Sequence, residues 1–392
     1  VIHLKRIGMI FMVSFLLLSA CNANRQSGEE SQPIPKPQQV AHQSAHPPQV
    51  ERIKSGNHPF NQVRKNKRRI ETLGFLEPMD PQKAISDVNE SAPYLTYVSF
   101  FSYRVQPNGD LIPLKDVAPL QSTRKNDAVP MLVITNFAEG NFSPEIAHQI
   151  FTDKVASKRL VRNVILVMKQ KGYRALNVDF EHIREKDRQL YNGFLETLLP
   201  QVKKEGFIVS TALAPKSSDR QAGPWHGAHD YAFHGKVADF VILMTYEWGW
   251  TGGPPMAVAP IPQVRKVVDY AVSKIPPEKI MMGAPLYGYD WTLPYRKGGP
   301  PAKRLSPQGA ADLAQRLAVK IQYNNRDEAP YFYYRDDRGK KHVVWFENEQ
   351  SAQAKFNLIQ EYKLRGISYW VLGEDFPRNW SLLRDNFTIQ KY

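Results

Sequence analysis

Leu176-Asn177-Val178-Asp179-Phe180-Glu181 alternates apolar and polar residues with period two. In an extended strand, Leu176, Val178 and Phe180 share one face and Asn177, Asp179 and Glu181 the other. Helical patterns flank the stretch. Leu160, Val161, Val164, Ile165 and Met168 form an apolar stripe ahead of Gly172, a cap residue; Leu190, Phe194, Leu198 and Val202 form another ahead of Gly206. A strand set between helices is covered on both faces, where a continuous apolar run is the norm. A row of Asn, Asp and Glu pointed inward is costly there unless it is paired or used. At about 3.3 Å per residue, the Cα atoms of Asp179 and Glu181 lie roughly 6.6 Å apart, so one carboxylate can raise the pKa of the other. The competing reading is an edge strand with a solvated polar face.

Outward from this stretch, short β-branched or aromatic runs alternate with amphipathic ones. Strands are predicted at 70–76, 95–103, 129–135, 176–181, 207–213, 240–246, 280–286 and 366–372. Eight strands separated by helices predict an α/β chain, first a (β/α)8 TIM barrel and second a doubly wound sheet. The gap between strands 7 and 8 is longer than one helix requires. It holds a helical run at 308–317 and strand-like pieces at 331–334 and 343–346 around the turn Asp336-Asp337-Arg338-Gly339. A small α+β insertion spanning about 296–350 is expected.

The chain has 392 residues, 42% hydrophobic and 23% charged, enough for one large folded unit. Its formal charge of +14 favours anionic surroundings such as a cell-wall polymer or a membrane surface. The single cysteine excludes an internal disulfide framework and a Cys-based zinc site. No Gly-x-x-x-x-Gly-Lys or Gly-x-Gly-x-x-Gly loop occurs, and no nucleic-acid docking element accompanies the basic run 64–69. No cofactor, metal or nucleic-acid partner is expected, and a monomer is.

Lys5 and Arg6 precede an apolar run ending in Leu18-Ser19-Ala20-Cys21. A positive start, a short apolar core and small residues before a cleavage point read as a secretory signal over 1–20. The only thiol stands where a bacterial lipobox places its lipidated cysteine, so Cys21 is expected to anchor the chain to the outer face of the cell membrane. Cleavage removes two cations and no anion, leaving +12. Residues 21–68, rich in Pro, Gln and Ser, read as a disordered tether, with the barrel over 69–392.

Polar-aromatic clusters recur at predicted strand ends: Met244-Thr245-Tyr246-Glu247-Trp248-Gly249-Trp250, Leu286-Tyr287-Gly288-Tyr289-Asp290-Trp291 and Ser368-Tyr369-Trp370. Four of the seven tryptophans fall there. Flat apolar rings suit the C–H faces of sugars, which makes Trp248, Tyr287, Trp291 and Trp370 candidates to line a carbohydrate groove.

Ala175-Leu176-Asn177-Val178-Asp179-Phe180-Glu181 resembles the end of the Asp-x-x-Asp-x-Asp-x-Glu signature of glycoside hydrolase family 18. Met244-Thr245-Tyr246 resembles that family's sixth-strand Met-x-Tyr, and Trp370 its eighth-strand tryptophan. Ala212-Leu213-Ala214-Pro215-Lys216, His229-Asp230-Tyr231, the stretch 245–255 and the cluster beginning at Leu286 are similar to the spore-germination branch, the spore peptidoglycan N-acetylglucosaminidases. The resemblance runs from about residue 70 to the C-terminus. No LysM-type wall-binding modules, which members of that branch often carry, precede the barrel.

The resemblance implies substrate-assisted retaining hydrolysis of β-1,4 bonds next to N-acetylglucosamine, in peptidoglycan (spore cortex among its sources) or chitin-type oligomers, with endo and exo action both open. Glu181 would be the general acid and then the base. The substrate's own acetamido carbonyl would be the nucleophile. Asp179 would orient the acetamide, Tyr246 would hydrogen-bond its oxygen, and Trp370 would floor the sugar site. Where the family has its first and second Asp, this chain has Arg174 and Asn177. An amide at Asn177 would still hydrogen-bond Asp179, whereas Arg174 would either lie at the N-terminal end of the strand and matter mainly for folding or, standing close, lower the carboxylate pKa values.

Two rival readings follow from the same residues. A non-catalytic barrel that binds N-acetylglucosamine glycans is the alternative, against which stands the intact Glu181. A metal hydrolase would use His226, His229, Asp230 and His234, but that run lacks the helical i, i+4 pairing of zinc motifs. A serine esterase lacks its Gly-x-Ser-x-Gly elbow.

Overall fold

The computed structural model describes residues 67–221, 223 and 225–392. The expected leader, Cys21 and all but the end of the tether lie outside the described residues. Eight strands form the barrel: β1 (Arg68–Leu76), β2 (Tyr97–Val105), β3 (Val129–Thr135), β4 (Ala175–Asp179), β5 (Ile208–Leu213), β6 (Phe240–Leu243), β7 (Ile280–Pro285) and β8 (Gly366–Trp370). Each pairs in parallel with the next, and β1 pairs with both β2 and β8, which closes the ring. The (β/α)8 barrel is thus the observed fold.

β1 starts at Arg68, one residue inside the expected tether. Its guanidinium donates to the carbonyls of Ile359 (2.7 Å) and Leu364, which ties that residue into the fold. Between strands run the helices expected from the sequence. The helix Lys154–Lys171 is opened by the Asp153 side chain, which accepts from the backbone N–H of Val155 and Ala156. It is closed by Gly172 at φ 72°, a left-handed cap that glycine adopts without a Cβ penalty.

β4 lies between β3 and β5 with every residue buried, which removes the edge-strand reading. Leu176, Val178 and Phe180 pack outward with Leu160, Val164, Met168, Phe194 and Leu198 of the surrounding helices. Inside the barrel, Leu73, Phe75, Met131, Val133, Phe240, Ile242 and Met281 form a separate apolar cluster. The polar face of β4 therefore shares the interior with a mostly apolar fill, and it concentrates at the C-terminal mouth.

The insertion is a five-stranded antiparallel sheet of Gly288–Leu293, Lys303–Leu305, Gln322–Asn324, Ala329–Arg335 and Lys341–Trp345, backed by the helix Pro307–Arg316. Ala310, Ala314, Phe332, Val344 and Phe346 form its own small core. The sheet begins at Gly288, earlier than the boundary expected near 296. β7 ends at Pro285, and the chain passes directly into the inserted sheet. The Leu286–Trp291 cluster therefore belongs mainly to the insertion rather than to a barrel strand end. Among the described residues no helix is long and apolar enough to cross a membrane.

Candidate active site

The strand ladder between β3 and β4 stops at the pair Thr135–Asp179. One residue on, the Asn136 side chain takes its place. Its Oδ1 accepts from the Glu181 N–H (3.0 Å) and its Nδ2 donates to the Glu181 carbonyl (2.9 Å). An amide side chain has one donor and one acceptor group, so it mimics the missing strand edge and fixes Glu181 beyond the end of β4. The expected strand 176–181 is shorter at its C-terminal end for this reason.

Asp179 is buried, and its Oδ1 has no hydrogen-bond partner among the described residues. Asn177 is also buried. Its Oδ1 accepts from the Ser210 hydroxyl at 2.9 Å, and its Nδ2 is unpartnered among the described residues. The expected Asn177–Asp179 hydrogen bond is thus not made: Ser210, one strand over, holds the amide oxygen, and the Nδ2 donor that such a bond would use is without a partner among the described residues. Arg174 is exposed and precedes β4, its N–H donating to Pro130. Five residue steps along the strand separate it from Asp179, roughly 16 Å, so it stands at the far end of the barrel from the acids.

Glu181 is partly exposed, and Trp225 Nε1 donates to its Oε2 at 2.6 Å. Burial pushes the Glu181 carboxyl well above the usual carboxylate range, and the negative charges of Asp179 and Glu247 push it the same way; the Trp225 N–H opposes them. Burial raises Asp179 as well. Asp179 and Glu181 stand two residues apart, and the like charge of the first favours retention of a proton on the second.

Tyr246 is buried just past β6, with its hydroxyl pKa raised by burial and then by Asp179, Glu181 and Glu247. Its ring lies against Gly283 of β7, where a Cβ would come within 2.8 Å of the ring and 2.4 Å of the Leu243 carbonyl. His182 and Glu247, which directly follow Glu181 and Tyr246, both take left-handed backbone (φ 53° and 67°). Side chains there rarely adopt that conformation, and such strain gathers at functional sites.

The aromatic candidates separate on inspection. Trp370 ends β8 partly exposed, held edge-on by Phe101 (4.8 Å between ring centres) and Phe75 (5.4 Å). Trp248 is partly exposed, with its backbone N–H donating to the Val258 carbonyl. Tyr287 is wholly buried beneath the Arg304 guanidinium, 4.1 Å from its ring centre, and its hydroxyl donates to Glu247 Oε1. Trp291 is 2% exposed and donates Nε1 to the Gly253 carbonyl at 2.9 Å. Tyr287 and Trp291 thus present no open ring for a sugar: Arg304 of the insertion lies over the first, and the second is itself part of the inserted sheet and buried with its N–H on Gly253. They instead brace the loop after β6: Tyr289 also donates to Glu247 Oε1, at 2.9 Å.

The histidine-rich run is divided among separate tasks. His229 Nδ1 accepts from Ala214 N–H (2.7 Å), so its Nε2 carries the proton and donates to the Phe180 carbonyl (3.1 Å). Burial lowers its pKa to about 4, in keeping with this neutral tautomer. Asp230 caps the helix Tyr231–Val237 and pairs with Arg188, and His234 bonds the Thr211 hydroxyl. His226 packs on Trp225, with ring centres 5.2 Å apart. Asn136, Ser210, Trp225 and Glu247 were not singled out from the sequence. Asn136 carried one usable signal, a polar residue directly after a predicted strand at the end where barrel sites form.

A parallel barrel with an acid pair at the C-terminal mouth of its fourth strand is the frame of a glycosidase. Residues 74–375 match the model of the glycosyl hydrolases family 18, and the chain belongs to that family. It is 46% identical over 330 residues to a cortical fragment-lytic enzyme of Bacillus subtilis (strain 168), covering 83% of this chain and 76% of that one. A putative sporulation-specific glycosylase, YdhD, of the same organism is 37% identical over 82% of this chain and 76% of its own. The crystal structure of the Bacillus cereus spore cortex-lytic enzyme SleL superposes with a TM-score of 0.81 at 41% identity, covering 83% of this chain and 76% of that one.

Proposed function

We propose that the chain cleaves β-1,4 bonds next to N-acetylglucosamine in cortex-type peptidoglycan by a substrate-assisted retaining mechanism. The observation that carries this reading is the pairing of Asp179 and Glu181 at the mouth of β4, with Asp179 Oδ1 buried and lacking a donor among the described residues. A 2-acetamido group supplies the missing N–H. With its N–H on Asp179, the acetamide carbonyl is turned toward the anomeric carbon, and the Tyr246 hydroxyl donates to that oxygen. Glu181, held protonated, gives its proton to the glycosidic oxygen as the acetamide closes to an oxazolinium. Asp179 stabilises the positive charge, and the Glu181 carboxylate then takes a proton from the water that opens the ring. Trp370 floors the sugar site, and Trp248 lines its approach. The peptidoglycan assignment is supported by the printed names of the relatives.

The experiment is digestion of cortex peptidoglycan and of N-acetylglucosamine oligomers, native and de-N-acetylated, with products read by mass spectrometry. N-acetylglucosamine reducing ends are expected. De-N-acetylated oligomers lose the neighbouring nucleophile, whose effective molarity is large, and should be cut at least ~10³-fold more slowly. Equal rates on both would sink substrate assistance.

The same proposal places the enzyme outside the membrane, anchored through Cys21 and associated with the spore. The support is the apolar run ending in Leu18-Ser19-Ala20-Cys21. The native chain should partition into the detergent phase and Cys21→Ala into the aqueous phase; identical partitioning of the two would remove the anchor.

A further inference from the structure

The loop between β5 and β6 is stitched to the strand end that bears Glu181. At its start, Ala214 N–H donates to His229, whose other nitrogen donates to the Phe180 carbonyl next to Glu181. The Tyr231 hydroxyl donates to the Ala214 carbonyl at 2.7 Å and accepts from the Lys216 N–H at 3.0 Å. Lys216 is wholly buried, with Nζ donating to the His229 carbonyl at 3.2 Å. Farther along, Gly227 comes so close to Glu185 that a Cβ would lie 2.7 Å from its Cγ. The loop is thus braced within itself and pinned against residues 180–185 at two points, the His229–Phe180 hydrogen bond and the approach of Gly227 to Glu185, and Trp225 stands just ahead of both in the chain.

Trp225 Nε1 lies 2.6 Å from Glu181 Oε2, and its ring is nearly parallel to that of His182, with 6.5 Å between centres. An indole nitrogen only donates; it has no lone pair to accept a proton. Of the two oxygens of a protonated carboxyl, the carbonyl oxygen is the stronger acceptor, so the indole favours Oε2 as the unprotonated one. We propose that Trp225 is a positioning residue that fixes which oxygen of Glu181 delivers the proton: Oε2 is held by the indole N–H, and the acid proton leaves from Oε1. This rests on the assignment of Glu181 as the general acid. In the step itself the Oε1–H bond breaks as the glycosidic oxygen gains the proton, and the negative charge left on the carboxylate is received by a hydrogen bond already in place. A bond to the charged form is roughly twice as strong as one to the neutral form, so it favours the products of proton transfer. The other groups facing Glu181 oppose its ionisation or are themselves pushed toward the uncharged form: Asp179 and Glu247 raise its pKa, burial raises the Tyr246 hydroxyl, and burial lowers His182 and His226.

The test is Trp225→Phe beside a chain in which Trp225 is replaced by its benzothiophene isostere, which keeps the bicyclic shape and lacks the N–H. Both should lower kcat about 10-fold and move the alkaline limb of kcat/KM upward by about one pH unit, since the carboxylate loses a charge-assisted donor. An unmoved alkaline limb in the isostere, whatever happens to rate, would reduce Trp225 to a packing or sugar-stacking residue and overturn the proposal. Should Trp225→Phe fail to fold, the isostere decides alone. Glu181→Gln run alongside separates the two ideas: activity retained in that variant overturns the acid assignment itself.

Discussion

Glu181→Gln is expected to lower kcat by about 10³-fold or more while leaving KM within a few-fold of the native value. General acid catalysis contributes typically 10²–10⁴, and here the same group is also the base for the second step, so both halves of the reaction lose their proton carrier. Gln has nearly the shape of Glu. It retains a carbonyl oxygen that can accept from Trp225, and Asn136 grips the backbone of residue 181 rather than its side chain. The fold and the glycan site should therefore survive. Loss of the acid also removes a carboxylic group held above its usual range by its surroundings, a source of instability near neutrality, so the variant should unfold no earlier than the native chain. Progress curves on N-acetylglucosamine oligomers, with binding followed separately by calorimetry, check both parts. Turnover within 10-fold of native would show that another group supplies the proton. Glu247 is the carboxyl to test next, although Tyr287 and Tyr289 already hold its Oε1.

The parts of this molecule governed by period and burial were readable in the sequence. An inward row of Asn, Asp and Glu on an otherwise helix-covered strand has few physical solutions, and a barrel mouth is one of them. What escaped were features set by contacts between distant segments. The polar alternation of Leu176–Glu181 continues past the end of the ladder, so the point where β4 gives way to the Asn136 clamp leaves no mark in that stretch. Tyr287 and Trp291 share the alternating polar-aromatic pattern of a sheet edge with residues that do reach the mouth, yet Arg304 lies over the first and the second is buried within the inserted sheet. Arg174 shows the reverse case. Of its two readings, a cation beside the acids or a residue at the start of the strand, the second is the observed one, since five steps of extended chain place it at the other end of the barrel. Trp225 stands in a Gly- and His-rich loop with no periodicity, and only the fold brings its N–H to Glu181.

Asp179→Asn should lower kcat by at least about 10²-fold and, unlike loss of the Trp225 N–H, move the alkaline limb of kcat/KM downward. Two separate effects are combined. The rate falls because a neutral amide cannot stabilise the positive oxazolinium, and electrostatic stabilisation of a developing charge in a water-poor site commonly contributes 10²–10³. The limb moves because Asp179 is the charge that raises the Glu181 pKa after burial itself. Without that negative charge, Glu181 ionises at lower pH, and the protonated acid disappears earlier as pH rises. The sign distinguishes this from simple damage to the site, which would lower the rate with the limb in place. It also separates the two neighbours of the acid: an anion on β4 that keeps the proton on, and an indole N–H on the β5–β6 loop that favours its departure. Combining Asp179→Asn with Trp225→Phe should therefore return the limb toward its native position while the rate falls further. A limb that stays fixed in Asp179→Asn would mean that the two carboxyls do not share a proton, and the pairing at the end of β4 would no longer account for the acid.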